Sequence, residues 1–248
     1  MIKFAMILTL TLLIATASSV HAQAMGVWLF DEGAGVVAMD GSANANDGEI
    51  SGQVRWTAGK FGAALAFDGG YVEVPYHPTL DANRFTMTAW VRVQRTVEPY
   101  QMILSKEAWP DRNYAMWLRP GIVTVGFTSV AGGQDIQVSG VDILDGEWHF
   151  VAGTYDGNEL VTYVDGMVIN TRRVGARPSL NQAPLIIGAQ PPNGDSPFLG
   201  TIDEVAVYNI ALSGRELDTV MEGLSEEFQA VQPEYKLATT WAELKARR

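Results

Sequence analysis

Apolar and polar positions alternate with a period of two through most of the chain. In RFTMTAWVRVQ, residues 84–94, Phe85, Met87, Ala89, Val91 and Val93 share one face, while Thr86, Thr88, Trp90 and Arg92 share the other. That period predicts half-buried strands. EWHFVAGTY (147–155) and LVTYV (160–164) repeat it, with Asp156-Gly157 between them and Asp165-Gly166 after them. Asp and Gly tolerate the positive φ of a tight reversal, so this stretch, with MVINTRRV following, reads as a three-stranded antiparallel meander. AALAFDGGYVEVP (63–75) reads as strand, Asp-Gly turn, strand. QMILSK, NYAMWLRP, IVTVGFTSV, DIQVSG, PLIIGAQ and GTIDEVAVYN bring the strand candidates to roughly a dozen, about 8–12 residues apart, with no long helical period between them. This is the spacing of a β-sandwich or barrel rather than of βαβ units.

One helix is predicted late, at LSGRELDTVMEGL (212–224), where Ser213 and Glu216 have the spacing of a capping box. Beyond it, residues 225–248 turn polar, carry Pro233, and end in a second such pair, Thr240 and Glu243. They read as an appended tail with a short amphipathic helix whose Trp241 and Leu244 are able to dock on the sandwich or on a partner.

The start of the chain has another character. Lys3 precedes an unbroken apolar run, Phe4 to Ala17, and then SSVHAQA. A positive start, an apolar stretch and small residues at 20 and 22 predict a signal peptide, 1–22, cleaved after Ala22. The expected location is therefore secreted or extracytoplasmic, with residues 23–224 as one domain and no membrane insertion after cleavage. Cleavage removes Lys3 and takes the formal charge from −11 to −12. So acidic a chain repels phosphate backbones, which argues against nucleic acid as a partner. With no cysteine, disulfides and thiol chemistry are excluded. Apolar residues make up 47% of the chain, enough for a sizeable core.

Five stretches in order, WLFDEGAG, DGS with NDG, GKFGAALAFDG with YVEVP, FTMTAWV, and DGEWHFVAGTYDG with GTIDEVAVYNIALSGREL, resemble the laminin-G-like, concanavalin A-like jelly-roll domains of bacterial secreted proteins. The resemblance spans about residues 25–224. It implies an all-β fold of two antiparallel sheets packed as a jelly-roll sandwich, with a short C-terminal helix. It also implies a structural Ca²⁺ held by Asp203, with carbonyls from the Asp31 region and from Gly70, and Asp68 as the alternative carboxylate. The alternation itself puts Asp203 on the face of Val205 and Val207, and a carboxylate turned inward there is costly unless paired or bound to a metal.

Catalytic signatures are lacking. The histidines, 21, 77 and 149, form no pair at metal-ligand spacing, and there is no Gly-x-Ser-x-Gly elbow. The alternating Glu-x-Asp-x-Glu carboxylates of jelly-roll glucanases are missing too, so no enzyme is expected. Binding fits better. EAWPDRNYAMWLRPG (107–121) brings Trp109, Arg112 and Asn113 together, with Trp109 expected at an exposed turn and Trp117 in the core. Tyr76 in PYHPTL and Asn193 in QPPNGDSPF are candidates for flanking walls. The expected function is a non-catalytic carbohydrate-binding module. The alternative is a protein–protein adhesion or assembly module, and a glycan-active hydrolase or lyase ranks last.

Overall fold

The structure is a computed structural model, and it describes residues 24–96, 99–131, 133–191 and 194–224. The expected signal peptide, the tail from 225 and Asn193 lie outside these. The strands in chain order are β1 (Ala24–Trp28), β2 (Val37–Ala38), β3 (Gly48–Ala58), β4 (Ala63–Val74), β5 (Phe85–Val93), β6 (Gln101–Ala108), β7 (Asp111–Arg119), β8 (Ile122–Thr128), β9 (Asp135–Asp142), β10 (Trp148–Tyr155), β11 (Glu159–Val164), β12 (Met167–Arg173), β13 (Leu185–Ile187) and β14 (Leu199–Tyr208). All named pairings are antiparallel, in the order β12-β11-β10-β5-β14-β4-β13-β6-β7-β8-β9.

β4 joins the two layers. Its first half pairs with β14 (Leu65 with Ile202) and its second half with β13 (Val74 with Leu185), while β3 runs along its other edge. The Asp68-Gly69-Gly70 stretch is therefore not the reversal its composition suggests. It is the corner at which one continuous strand leaves the first layer for the second, and Gly69 takes φ 101° there. A strand can change sheets only by an abrupt bend, which glycine permits at no steric cost.

The far ends close where β9 meets β11 and β12: Thr162 Oγ1 donates to the Val138 carbonyl (3.2 Å) and Asn170 Nδ2 to that of Ser139 (3.0 Å). The inward residues of β5 form one core with Leu65, Val125, Phe127, Tyr155 and Val207. The layers approach so closely that a Cβ on Gly153 would strike Val125.

A second apolar cluster lies on the outer face of the first layer. Trp90, Phe150, Tyr163 and Ala206 are covered by Leu217 and Val220 of the helix α1 (Gly214–Met221) and by Leu224. Ser213 and Glu216 make the expected capping box. Burying two leucines and a valine here is worth roughly 5 kcal/mol, far more than so short a helix gains from its own hydrogen bonds.

The loop before β3 is organised by one carboxylate. Asp40 accepts the backbone N–H groups of Val27, Ser42 and Asn46, each at 2.8 Å, and Ser42 Oγ at 2.7 Å. Asn46 in turn donates to the Met25 carbonyl (2.8 Å). The DGS and NDG stretches are thus scaffold.

Candidate functional site

Among the described residues, the expected site residues fall mainly in two places. The first is the tip of the β6–β7 hairpin with the open face of the second layer behind it. Ala108 pairs with Asp111, so Trp109 and Pro110 form the reversal, and Trp109 projects with 71% of its surface exposed. Two loops are tied to this tip. Thr128 Oγ1 donates to the Pro110 carbonyl (2.9 Å), Ser179 Oγ to Asp111 (3.1 Å), and Asn181 Nδ2 to the Asp111 carbonyl (2.9 Å). Val130 and Leu180 on these loops are also exposed.

Arg112 is buried behind the tip. Its Nε donates to Glu107 (2.6 Å), its Nη1 to Asp135 (2.8 Å), and its guanidinium lies 4.8 Å from the centre of the Trp117 ring. Gln190, from the loop expected to form the opposite wall, donates to the other oxygen of Glu107. Asn113 is fully buried, accepting the Ala82 N–H (3.0 Å) and donating to the Ala82 carbonyl (2.8 Å). Tyr76 stands apart, its hydroxyl donating to Asp81 (3.3 Å) and its ring 5.1 Å from Lys106 Nζ, which pairs with Asp81 at 2.7 Å. Of the candidates within the described residues, Trp109 alone is largely free. Arg112 and Asn113 hold the hairpin, because successive residues on a strand point to opposite faces and each of these two meets polar partners on its own side. Trp117 is buried as expected, but in a small separate cluster with Met102 and Ala115 outside the main core.

The second place is the bulge in β14. The pairing with β5 slips between Asp203 and Ala206, and Glu204 takes φ 51°. The extra residue reverses the alternation. Ile202, Val205 and Val207 face the main core, whereas Ala206 faces the outer cluster. Asp203 therefore does not share the face of Val205 and Val207. It points outward, under the turn between β3 and β4.

There Asp203 Oδ2 accepts the N–H groups of Lys60 (2.7 Å) and Phe61 (3.0 Å), while Oδ1 is buried and, among the described residues, without a partner. Glu204 accepts the Leu224 N–H with one oxygen, and its Oε1 is buried and unpartnered likewise. Asp31 accepts the Ala63 N–H (2.9 Å) at the same turn. Burial pushes the Asp203 carboxyl up to about 7 against the pull of the Phe61, Lys60 and Glu204 N–H groups, and the Asp31 charge adds to the rise. Burial likewise pushes Glu204 up to about 8, helped by Asp203 and Asp31. A Cβ on Gly59 would collide with Asp203 and with the carbonyls of Phe61 and Ala63, and one on Gly62 with Asp31. Oxygens thus crowd both glycines of this turn.

The structure separates the other two expected ligands from Asp203. Asp68 pairs with Leu199, four residues from Asp203 along β14, and its carboxylate bonds Arg95 (2.8 Å). Gly70 pairs with Gly52, past the corner at Gly69 and five residues beyond Leu65, the partner of Ile202. Glu204 was not singled out by the sequence. The adjacent Asp-Glu pair places its two side chains on opposite faces in a regular strand, and only the bulge brings them together. Among the described residues, no three His, Cys, Asp or Glu side chains form a ready metal cage. A hard cation here would draw on carbonyls and water as well, as calcium does.

The paired layers, the sheet-crossing β4 and the capping helix define a two-sheet antiparallel jelly roll. The chain belongs to the concanavalin A-like lectin/glucanases superfamily, whose model matches residues 67–218, more than half of its length. A search of curated proteins gave no match. Among solved structures, the binding domain of Paraclostridial Mosquitocidal Protein 1 is similar at a TM-score of 0.69 and 15% identity, over 81% of this chain and 52% of that one. Domain 4 of AbnA, an extracellular arabinanase from Geobacillus stearothermophilus, solved with arabinotriose, is similar at 0.63 and 18%, over 80% of this chain and 98% of that one. The ligand binding domain of botulinum neurotoxin serotype D, solved with N-acetylneuraminic acid, is similar at 0.63 and 13%, over 84% and 52%. The chain spans about half the length of the toxin domains and nearly all of the arabinanase domain. At these identities the likeness is one of fold. Among the described residues, no helix is long and apolar enough to cross a membrane.

Proposed function

We propose that this domain is a non-catalytic, extracytoplasmic carbohydrate-binding module that uses Trp109 as its stacking platform. The observation that carries the reading is Trp109 itself, 71% exposed at the end of a hairpin whose base is locked by the Glu107–Arg112–Asp135 bonds. An exposed indole on a rigid support gains contact with the apolar face of a sugar and loses little conformational entropy on binding. The arabinanase domain solved with arabinotriose supports the class of ligand. The carboxylates of the open face argue for binding without turnover, since Glu107 and Asp135 both bond Arg112 and neither is set free as an acid or base.

The reading includes one Ca²⁺ at the bulge, with Asp203 as its side-chain ligand and backbone carbonyls and water completing the shell. The buried, unpartnered Oδ1 of Asp203 is the support, for a cation would satisfy it. The role of the ion is structural: it would tie β14 to the β3–β4 turn.

Affinity electrophoresis of the full chain in arabinan, β-glucan and galactan gels, with calcium, tests the sugar. Retardation in one gel that is lost in Trp109→Ala supports the module. No retardation of the folded protein in any gel overturns it. A second reading, adhesion to a protein, draws on Val130 and Leu180, which stand exposed on the loops tied to the same tip.

A further inference from the structure

On the outer face of the first layer, beyond the area covered by α1, the register sets a single row across five strands. Arg55 of β3 pairs with Ala66 of β4, Ala66 with Thr201 of β14, Thr201 with Arg92 of β5, and Arg92 with Trp148 of β10. The two positions between the arginines carry small side chains, so a trough opens between them. Its volume is about 190 Å³, and Arg95 and Asp68 border it from the next row.

The charges in this trough are unbalanced. Asp68 is its single carboxylate and is taken by Arg95 at 2.8 Å. Among the described residues, Arg55 and Arg92 have neither a carboxylate nor a hydrogen-bond partner for their guanidinium groups. Arg92 lies 5.0 Å from the centre of the Trp148 ring, a cation–π contact that uses none of its N–H donors. Two free guanidinium groups and a third nearby make up a donor set that outnumbers the one carboxylate of the trough. This stands on a chain of formal charge −11, whose remaining acids are screened beyond a Debye length of about 8 Å at physiological salt.

We infer that this arginine trough is a second binding site, which grips the oxyanion of an acidic sugar unit, a carboxylate or a sulfate. Guanidinium forks match both groups with paired, charge-assisted hydrogen bonds. Small-molecule pockets begin at roughly 300 Å³, so the trough suits a single charged sugar unit rather than an oligosaccharide. The anion grip stands on the arginines alone. That the anion is borne by a sugar rests on the glycan-binding reading above.

The test is isothermal titration of the full chain with glucuronate, glucose 6-sulfate, glucose and inorganic phosphate, at low and high salt. Glucuronate or glucose 6-sulfate binds and glucose does not, and binding weakens with salt. Arg55→Gln with Arg92→Gln lowers the affinity at least about tenfold, given the strength of hydrogen bonds to charged groups. Asp68→Asn, which frees Arg95, raises it severalfold, and Trp109→Ala leaves it unchanged. Equal binding by the double arginine variant, or loss of glucuronate binding in Trp109→Ala, overturns the site. Phosphate binding as tightly as the acidic sugars overturns the sugar assignment. Silence toward every anion while Trp109-dependent retardation in neutral gels persists overturns this inference and leaves the module standing.

Discussion

Asp203 meets the β3–β4 turn with one oxygen that accepts the N–H groups of Lys60 at 2.7 Å and Phe61 at 3.0 Å, and with the other buried and, among the described residues, without a hydrogen-bond partner. The first half of that arrangement closes the fold. The second leaves a carboxylate that must be protonated or joined by a cation.

Calcium should therefore stabilise the domain. At a hundredfold excess over its dissociation constant the gain is about 2.7 kcal/mol, or roughly 5–10 °C in melting temperature for a domain of this size. Differential scanning fluorimetry with calcium and with EDTA checks this. Asp203→Asn should lose the shift, and an unchanged shift in that variant removes Asp203 from the ligand set.

Without metal, the pH dependence runs in the unusual direction for acids. Asp203 at about 7 and Glu204 at about 8 lie above their unfolded values, so the folded state holds protons that the unfolded state releases. Their contribution to stability is largest below about pH 4 and falls as pH rises through about 8. In EDTA, the melting temperature of the parent relative to Asp203→Asn/Glu204→Gln should drop steadily between pH 5 and about 8. A flat difference would refute the assignment.

His149 works with the ordinary sign. Partial burial lowers its affinity for a proton, but bonds to Asp165 (2.8 Å) and Asp145 (3.2 Å) outweigh this and raise it overall. Its contribution is full below its unfolded value of about 6.5 and is lost as pH rises through the raised folded value. Melting curves of His149→Asn should match the parent at alkaline pH and fall below it in acid.

Neighbours in the 107–121 stretch should separate by readout. Trp109→Ala changes stability by about 0.5 kcal/mol or less, as exposed positions do, and removes glycan retardation. Asn113→Ala strands a buried N–H and a buried carbonyl of Ala82, at a cost of about 2–4 kcal/mol. Urea denaturation of both variants, run beside the affinity gels, makes the comparison.

The alternation of β5 and of the 147–173 meander and the capping box of α1 were legible in the chain, because each follows from local periodicity or local hydrogen bonding; the two-sheet class was what the family resemblance implied. Trp109 was legible as exposed, since a turn before proline has few ways to be buried. Three things required the tertiary structure. Asp68-Gly69-Gly70 has the composition of a reversal and is a corner, because β13 and β14 compete for the same edge of β4. Asp203 changes face because one inserted residue shifts the phase of every later side chain, and a bulge leaves no mark in a period-two pattern. The Arg55–Ala66–Thr201–Arg92 row joins β14 to strands more than a hundred residues before it, and only the pairing register puts those four residues in line.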